Sequence, residues 1–348
     1  MKKISLLILL FILSVLSMAG CSKQNNAADT DAVPDYVDFQ PLTEIKEGRP
    51  DVYLIVKLID SGYWQVIING AKDAGDAYDC NVYYAGTAIE TDWQGQHELI
   101  DKAVGRDADA IILAPDDSVE LAPDIERIHN LNIPIILVDT AANTDSYDIC
   151  YMTDNLLAGQ NAAEEMIRQL KDTGHSGDEK LSVGIMVGSA TSQTINERLA
   201  GFYQHWSSNA PKNWEIISDI KNCNGNIDLG GQLTGELFKD HADLAGLYGT
   251  NNGPTRALCR TVSDAGRTDI VVVGFDYSDE MKALLESPEY HASTMLQRQY
   301  DMSYRAVGTA LELLKGIQPP VKFEDTGVVT VNSLTLNDPD VIEVLKRN

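Results

Sequence analysis

Residues 110–139 read AIILAPDDSVELAPDIERIHNLNIPIILVD and contain the pattern that decides the fold. Two short runs, 110–113 and 135–138, are apolar throughout, and they flank an amphipathic stretch, 121–131, that is long enough for a crossover helix. Strands without polar alternation are typical of a parallel sheet that is covered on both faces. The stretch therefore predicts one β–α–β unit.

The same pattern recurs on both sides of this unit. Before it lie the β-rich runs 52–56 and 81–84, with helical stretches at 64–77 and 96–106. After it, a second series begins with a helix over 156–170 that Asp154 and Asn155 can cap, followed by strands at 181–187, 215–220, 244–248 and 270–275. The prediction is an α/β fold of two doubly wound parallel-sheet lobes, with a ligand cleft at the strand ends between them.

The N-terminal residues predict the cellular location of the protein. Lys2 and Lys3 precede an apolar run, 4–18, that is too short for a comfortable membrane span and is typical of a signal peptide. The segment Met18-Ala19-Gly20-Cys21 then resembles the lipobox of bacterial lipoproteins, which implies removal of residues 1–20 and lipidation of Cys21. Ordinary cleavage beside an incidental cysteine is the alternative. We expect residues 21–49 to hold the lipidated cysteine and a flexible tether.

Composition excludes several classes of function. The 348 residues carry a formal charge of −25, which disfavours binding to nucleic acid or to anionic lipid headgroups and leaves the lipid anchor as the predicted membrane contact.

Four widely spaced cysteines follow Cys21, namely Cys80, Cys150, Cys223 and Cys259. We expect buried free thiols, although three schemes of disulfide pairing stay open. The histidines are isolated, and GxSxG, P-loop and GxGxxG motifs are absent. We therefore predict no catalytic residue, metal or cofactor, and no enzyme activity.

Eight short segments, in order, resemble the landmarks of the type I periplasmic binding proteins, the ribose-binding and LacI-like sugar-binding family. They are 58–64, 110–115, 132–139, 153–159, 196–202, 248–252, 273–276 and 293–297, within a resemblance that covers about 51–331. It implies a three-strand hinge near Thr153, Gln297 and Asp325. The N-terminal lobe would then comprise 50–153 plus 298–325, and the C-terminal lobe 154–297 plus 326–348.

The resemblance also implies which side chains contact the ligand. They are Lys57, Ser61, Tyr63, Trp64, Asp139, Asn196, Arg198, Asn251, Asp276 and Gln297. Aromatic rings can stack on the apolar face of a sugar, although Trp64 could instead pack inward and leave Tyr63 alone in the cleft. The Asp139 carboxylate can accept hydrogen bonds from two neighbouring hydroxyls, and the fork of Arg198 can bind hydroxyls or a carboxylate.

Departures from the ribose pattern leave the ligand open. Lys57 stands where ribose binders carry a serine, and Ser61 and Ala114 each replace an asparagine. Asn196 replaces the first arginine of an Arg-x-Arg pair. Lys57 and Arg198 could together hold a negatively charged sugar acid or phosphate. Alternatively, Lys57 pairs with Asp139 or Asp60 inside the site, and the ligand is neutral.

The function implied by the resemblance is capture of a solute outside the cell. We expect a monomeric lipoprotein on the extracytoplasmic face of the bacterial cell membrane, which binds a sugar or sugar derivative by cleft closure and delivers it to an ABC permease. The alternative is a receptor whose closed form engages a sensor kinase or chemoreceptor. A LacI-like cytoplasmic repressor is disfavoured by the signal peptide and by the absence of an N-terminal helix-turn-helix pattern.

Overall fold

A computed structural model describes residues 36–347. Its strands are Tyr36–Pro41 (β1), Asp51–Val56 (β2), Asn81–Thr87 (β3), Ala110–Leu113 (β4), Ile135–Val138 (β5), Ile149–Met152 (β6), Leu181–Val187 (β7), Trp214–Ile216 (β8), Lys221–Asn222 (β9), Leu244–Gly249 (β10), Val271–Phe275 (β11), His291–Gln297 (β12), Phe323–Asp325 (β13) and Val328–Asn332 (β14). The helices are Gly62–Tyr78 (α1), Trp93–Gly105 (α2), Ala122–Asn130 (α3), Asn155–Asp172 (α4), Gln193–Asn209 (α5), Ile227–Asp240 (α6), Asn252–Asp264 (α7), Asp279–Glu286 (α8), Gln299–Leu314 (α9) and Pro339–Leu345 (α10).

Two seven-stranded sheets organise the described residues. The first has the order β1-β3-β2-β4-β5-β6-β13 and is packed with α1, α2, α3 and α9, and we call this unit the first lobe. The second has the order β14-β12-β11-β10-β7-β8, with β9 beside β7, and forms the second lobe with α4 to α8 and α10. All pairings within the sheets are parallel except those of β1 with β3 and of β12 with β14.

Apolar side chains cover both faces of each sheet. Leu54 and Ile112 face one core of the first lobe, and Ile55 and Leu113 face the other. Because both faces are buried, alternating polar residues would be costly, which explains the continuous apolar runs in the sequence. The predicted fold class, two doubly wound α/β lobes, is confirmed.

The first sheet includes residues that the sequence analysis assigns to the tether. Residues 36–41, assigned to the tether, form β1, which pairs antiparallel with β3 at the edge of the first sheet. Phe39 supplies the apolar contact, because its buried ring packs edge-on against Tyr53 with the centroids 4.7 Å apart. The predicted signal peptide, Cys21 and the first part of the predicted tether lie outside the described residues. Within residues 36–347, no helix is both long and apolar enough to cross a membrane.

The chain passes between the lobes three times, after β6, after β12 and after β13. The three connections are hydrogen-bonded to one another. Thr153 Oγ1 donates to Gln297 Oε1 over 3.1 Å, and the Asp154 amide donates to Asp325 Oδ1 over 2.9 Å. The Thr326 amide donates to the Met152 carbonyl oxygen over 3.0 Å. The crossings therefore form one compact bundle beside the cleft.

Candidate ligand-binding site

The first wall of the site is built on the ends of three neighbouring strands. Lys57 follows β2, Asp139 follows β5, and Asp116 lies just beyond β4, which runs between them. Because parallel strands end at the same edge of a sheet, these three charged side chains meet at one place.

Asp139 is the centre of a hydrogen-bonded group in this wall. Its Oδ1 accepts from the Tyr63 hydroxyl, and its Oδ2 accepts from Thr140 Oγ1 over 2.7 Å. Lys57 Nζ donates to Thr140 Oγ1 over 2.8 Å and lies 3.8 Å from Asp139 Oδ2. Lys57 thus pairs with Asp139 inside its own lobe, which is one of the two arrangements that the sequence leaves open. Thr140 was not predicted, although it directly follows Asp139.

The two aromatic residues at the start of α1 take different positions. Trp64 is 2% exposed, packs in the first-lobe core and donates from Nε1 to Glu90 Oε1 over 2.9 Å. Tyr63 is only partly buried, and Ser61, at the N-cap position, makes no side-chain capping bond. The enclosed ring of Trp64 fits the alternative in which this residue packs inward and Tyr63 alone contacts the ligand. Stacking of Trp64 on a ligand stays a prediction.

Tyr63 is close enough to the second lobe to respond to its charges. Burial raises the pKa of the Tyr63 phenol well above its ordinary value, the carboxylates of Asp139 and Asp276 raise it further, and Arg198 opposes them. Asp276 and Arg198 belong to the second lobe. The two walls of the cleft therefore face each other across Tyr63.

Asp116 is a site residue that sequence reasoning missed. Its Oδ1 is buried and has no hydrogen-bond partner within residues 36–347, while Oδ2 lies 3.4 Å from Thr87 Oγ1. Burial raises the pKa of the Asp116 carboxyl well above its usual range, against the opposing charge of Lys57. The available signal was its position, since it follows the landmark in which Ala114 replaces the expected asparagine.

Arg198 organises the second wall. It is 3% exposed, and three of its five N–H groups donate to neutral acceptors. Nε donates to Asn155 Oδ1 over 2.8 Å, Nη1 to the Thr250 carbonyl oxygen over 2.9 Å, and Nη2 to Gln297 Oε1 over 2.9 Å. The guanidinium carbon also lies 3.9 Å from the centroid of the Phe275 ring. Stacking and three directed bonds fix the orientation of this side chain.

Asp276 completes the buried polar group. It directly follows β11 with a left-handed backbone, at a φ of 67°, as Asp139 follows β5 with a φ of 65°. Gln297 Nε2 donates to Asp276 Oδ1 over 2.8 Å. Burial raises the pKa of the Asp276 carboxyl to about 6, although Arg198 and the bond from Gln297 lower it. The carboxyl group is thus poised to change charge in mildly acidic solution.

The two remaining predicted residues lie on helix starts. Asn251 is the N-cap residue of α7, is partly buried, and accepts from Thr250 Oγ1 over 3.3 Å. Asn196, in the first turn of α5, is exposed and donates to the Ala190 carbonyl oxygen over 3.3 Å. The structure places Asn251 next to Thr250, whose carbonyl oxygen accepts from Arg198, and it leaves Asn196 exposed at the start of α5.

A close contact between α4 and α5 positions Arg198. A methyl group on Gly159 would collide with the Arg198 carbonyl oxygen, and one on Gly201 would collide with that of Leu156. Both glycines therefore allow the helix backbones to touch. This contact sets Asn155, at the start of α4, within reach of Arg198.

One cluster outside the cleft has ligand types suited to a metal. His97, Asp101 and Asp124 gather on α2 and α3, where His97 Nδ1 lies 2.8 Å from Asp124 Oδ2. Arg127 Nη2, however, donates to Asp101 over 2.6 Å and to Asp124 over 2.9 Å. Because the Arg127 guanidinium already pairs with both carboxylates, the cluster is an ion-pair network joining two helices.

This combination of two α/β lobes, three crossing segments and polar side chains converging on facing strand ends defines a protein that holds a solute between its lobes. Residues 52–318 match the family model described as periplasmic binding protein domain, and the chain belongs to that family. The predicted type I architecture is thereby confirmed. Periplasmic binding proteins of ABC importers act outside the cytoplasm, which agrees with the predicted extracytoplasmic location.

The similar proteins are solute-binding proteins. The D-ribose/D-allose-binding protein of Pseudomonas aeruginosa is 25% identical over 305 residues, which cover 84% of this chain and 91% of the relative. A solute binding protein of an ABC transporter from Agrobacterium vitis, solved with bound D-fucose, is 26% identical with a TM-score of 0.76, and the match covers 84% of this chain and 98% of that one. A carbohydrate transporter solute binding protein from Agrobacterium radiobacter, in complex with D-arabinose, has a TM-score of 0.81 at 24% identity and covers 86% of this chain and 99% of its own.

Proposed function

We propose that the protein captures a neutral sugar between its lobes and presents it to an ABC permease. The sugars bound by the related proteins support a carbohydrate ligand. The observation that carries the choice of a neutral one is the pairing of Lys57 with Asp139, because a cation that is neutralised inside its own lobe is a poor partner for an anionic ligand.

The balance of charge in the cleft supports the same choice. At pH values where all three carboxyl groups of the walls are ionised, those of Asp116, Asp139 and Asp276, they outnumber the two cations, Lys57 and Arg198. The N–H groups of Arg198 already donate to Asn155, Thr250 and Gln297. These bonds use three of its five N–H groups, and a sugar acid or sugar phosphate that bound the other two would also have to approach nearby carboxylates, which costs affinity.

Each wall offers groups that suit hydroxyls. Carboxylates accept charge-assisted hydrogen bonds, so Asp139 and Asp276 are suited to bind hydroxyl pairs from opposite sides, and Asp116 Oδ1 is suited to accept another. Asn251, Gln297 and Ser61 add donors and acceptors, and the ring of Tyr63 supplies an apolar face. Contact with both walls would favour the closed arrangement over the open one.

Anchoring through Cys21 is part of the proposal and lies outside the described residues. A diacylated cysteine followed by a tether would hold the folded part near a permease without spanning the bilayer. A Cys21→Ser variant should therefore be released from the membrane fraction, while wild-type protein stays with it. Release of both proteins alike would contradict the lipid anchor.

The experiment that tests the function is a thermal-shift and calorimetry panel on the chain from Ser22 onward. It compares neutral aldoses and polyols with sugar acids and sugar phosphates. We expect a neutral sugar to raise the melting temperature by mass action and Asp139→Asn to remove most of the shift. Glu120→Gln, an exposed carboxylate in the first lobe, is the matched control and should keep it.

A shift with anionic compounds alone would overturn the neutral-sugar proposal. The Lys57→Gln variant then tests whether Lys57 is an internal partner of Asp139 or a partner of the ligand's charge. If Lys57 is an internal partner of Asp139, the variant still discriminates against sugar acids. If Lys57 binds the ligand's charge, the variant loses affinity for acids while neutral sugars are little affected.

A further inference from the structure

The last helix of the chain belongs to the second lobe. Pro339–Leu345 follows β14, and its buried residues Val341 and Val344 pack in the core of that lobe. Leu336 and Leu345 pack against the same core. The helix is therefore fixed to the second lobe by apolar contacts on both sides of its short length.

Just beyond this helix, Arg347 reaches the first lobe. Its Nη1 donates to Asp301 Oδ1 over 2.7 Å, and its guanidinium carbon lies 4.7 Å from the centroid of the Tyr300 ring. Asp301 and Tyr300 are in the first turn of α9, which packs on α1, and the Tyr300 hydroxyl donates to Asp73 Oδ2 on α1 over 2.9 Å. The partners of Arg347 are thus tied firmly to the first lobe.

This link lies beside the crossing segments. α9 begins two residues after Gln297, where the second crossing ends, and Arg298 Nη1 lies 3.9 Å from Asp301 Oδ2. A small cavity next to the link is lined by Val66 of the first lobe and Val344 of the second, together with Gln299 and Arg347. The two lobes therefore meet here around a small unfilled space.

We propose that the C-terminal helix is a restraint on cleft opening, in which the Arg347–Asp301 ion pair stabilises the arrangement that brings the two ligand-binding walls together. Such a restraint changes the population of the binding-competent arrangement and leaves the ligand contacts untouched. It therefore alters the affinity for every ligand by one common factor. The affinity consequence rests on the proposed sugar-binding function, whereas the effect on lobe spacing does not.

The test uses Arg347→Gln and Asp301→Asn in the chain from Ser22 onward, which lacks Cys21 and its thiol. The paired side chains are 38% and 21% exposed, so solvent limits the effect to about a two- to five-fold loss of affinity. Calorimetry should give the same factor for a strongly and a weakly bound sugar. Spin labels on Glu120→Cys and Ala190→Cys, exposed positions in the segments that follow β4 in the first lobe and β7 in the second, should lie further apart without ligand in both variants.

Arg305→Gln is the matched control, because Arg305 lies on the same helix and pairs with Glu324 inside the first lobe, with side chains that are 44% and 41% exposed. Exchange of the charges, Arg347→Asp with Asp301→Arg, should restore part of the affinity. Unchanged label distances would overturn the restraint, as would a loss confined to one sugar. If wild type binds no sugar at all, the proposed function fails, and the label distances still decide the restraint.

Discussion

At the scale of single residues, Asp116 combines burial with an oxygen that has no hydrogen-bond partner within residues 36–347. An unsatisfied buried carboxyl group is costly in the ligand-free protein, and a ligand hydroxyl would provide the missing donor. Such a side chain lowers the stability of the empty protein and strengthens binding, which distinguishes it from a residue that only supports the fold.

We predict that Asp116→Asn raises the melting temperature of the empty protein at pH 8 and weakens sugar binding about ten-fold. The folded-state pKa of Asp116 is raised, so its contribution to stability is full below the unfolded pKa and is lost as the pH rises. Because asparagine does not ionise, the Asp116→Asn variant does not lose this stability as the pH rises. Thermal unfolding and calorimetry check both effects against Glu120→Gln, and unchanged binding would assign Asp116 a purely structural role.

A second residue-scale prediction concerns Asp276, whose pKa is raised to about 6. Only the ionised carboxylate accepts two charge-assisted bonds, so sugar affinity should increase as the pH rises through about 6. The stability of the empty protein should fall over the same rise, from the unfolded pKa of about 3.9 upward. Calorimetry at several pH values should show this step in wild type and lose it in Asp276→Asn. A step that persists in the variant would assign the titration to another group.

At the scale of elements, the contact between α4 and α5 links packing to the site. Gly159 allows the helix backbones to meet at the Arg198 carbonyl oxygen, and Arg198 in turn holds Asn155 and Gln297. A side chain at this point would push α5 outward and carry the guanidinium group with it.

We predict that Gly159→Ala destabilises the protein by about 1–3 kcal/mol, because the methyl group overlaps backbone that cannot yield, and that it also weakens sugar binding. Gly235→Ala on α6 is the control. A methyl group there meets open space, so the loss of glycine flexibility should stabilise the protein by about 0.5–1 kcal/mol. Urea unfolding measures both changes, and equal shifts in the two variants would contradict the close-contact explanation.

The elements differ in how well the sequence predicts them. β4 and β5 have the predicted bounds, because they are buried on both faces and bounded by turn residues. β1 was assigned to the tether because the buried Phe39 is its main apolar contact and polar residues flank it. The strand predicted over 215–220 ends at Ile216, where the chain bends towards the short β9.

The candidate site was predictable where a strand ends in a polar residue. Asp139, Asp276 and Gln297 were predicted from the family resemblance, and each is at or just beyond the end of a buried strand. The inward packing of Trp64 depends on how the first turn of α1 meets its neighbours, which no local pattern specifies. The unmatched oxygen of Asp116 is likewise a property of the assembled strand edge.

At the scale of the whole molecule, each lobe has its own sheet and its own apolar cores, and three adjacent segments join the lobes. Lobes that are internally packed move as rigid bodies, so motion concentrates at the crossings. Ligand affinity then depends on the contacts in the cleft and also on residues such as Arg347 that lie beside the crossings.

The four described cysteines are buried and unpaired, with Cys80 and Cys150 in the first lobe and Cys223 and Cys259 in the second. Burial raises the pKa of all four thiols, so they are protonated and shielded in the native protein. The rate at which these thiols react therefore reports how often each lobe opens, because a thiol reagent can react only when the surrounding core is exposed. Mass spectrometry of labelled peptides from a chain beginning at Ser22 should show slow modification that added sugar slows further. Fast labelling in native buffer would mean that a core opens far more often than its packing suggests.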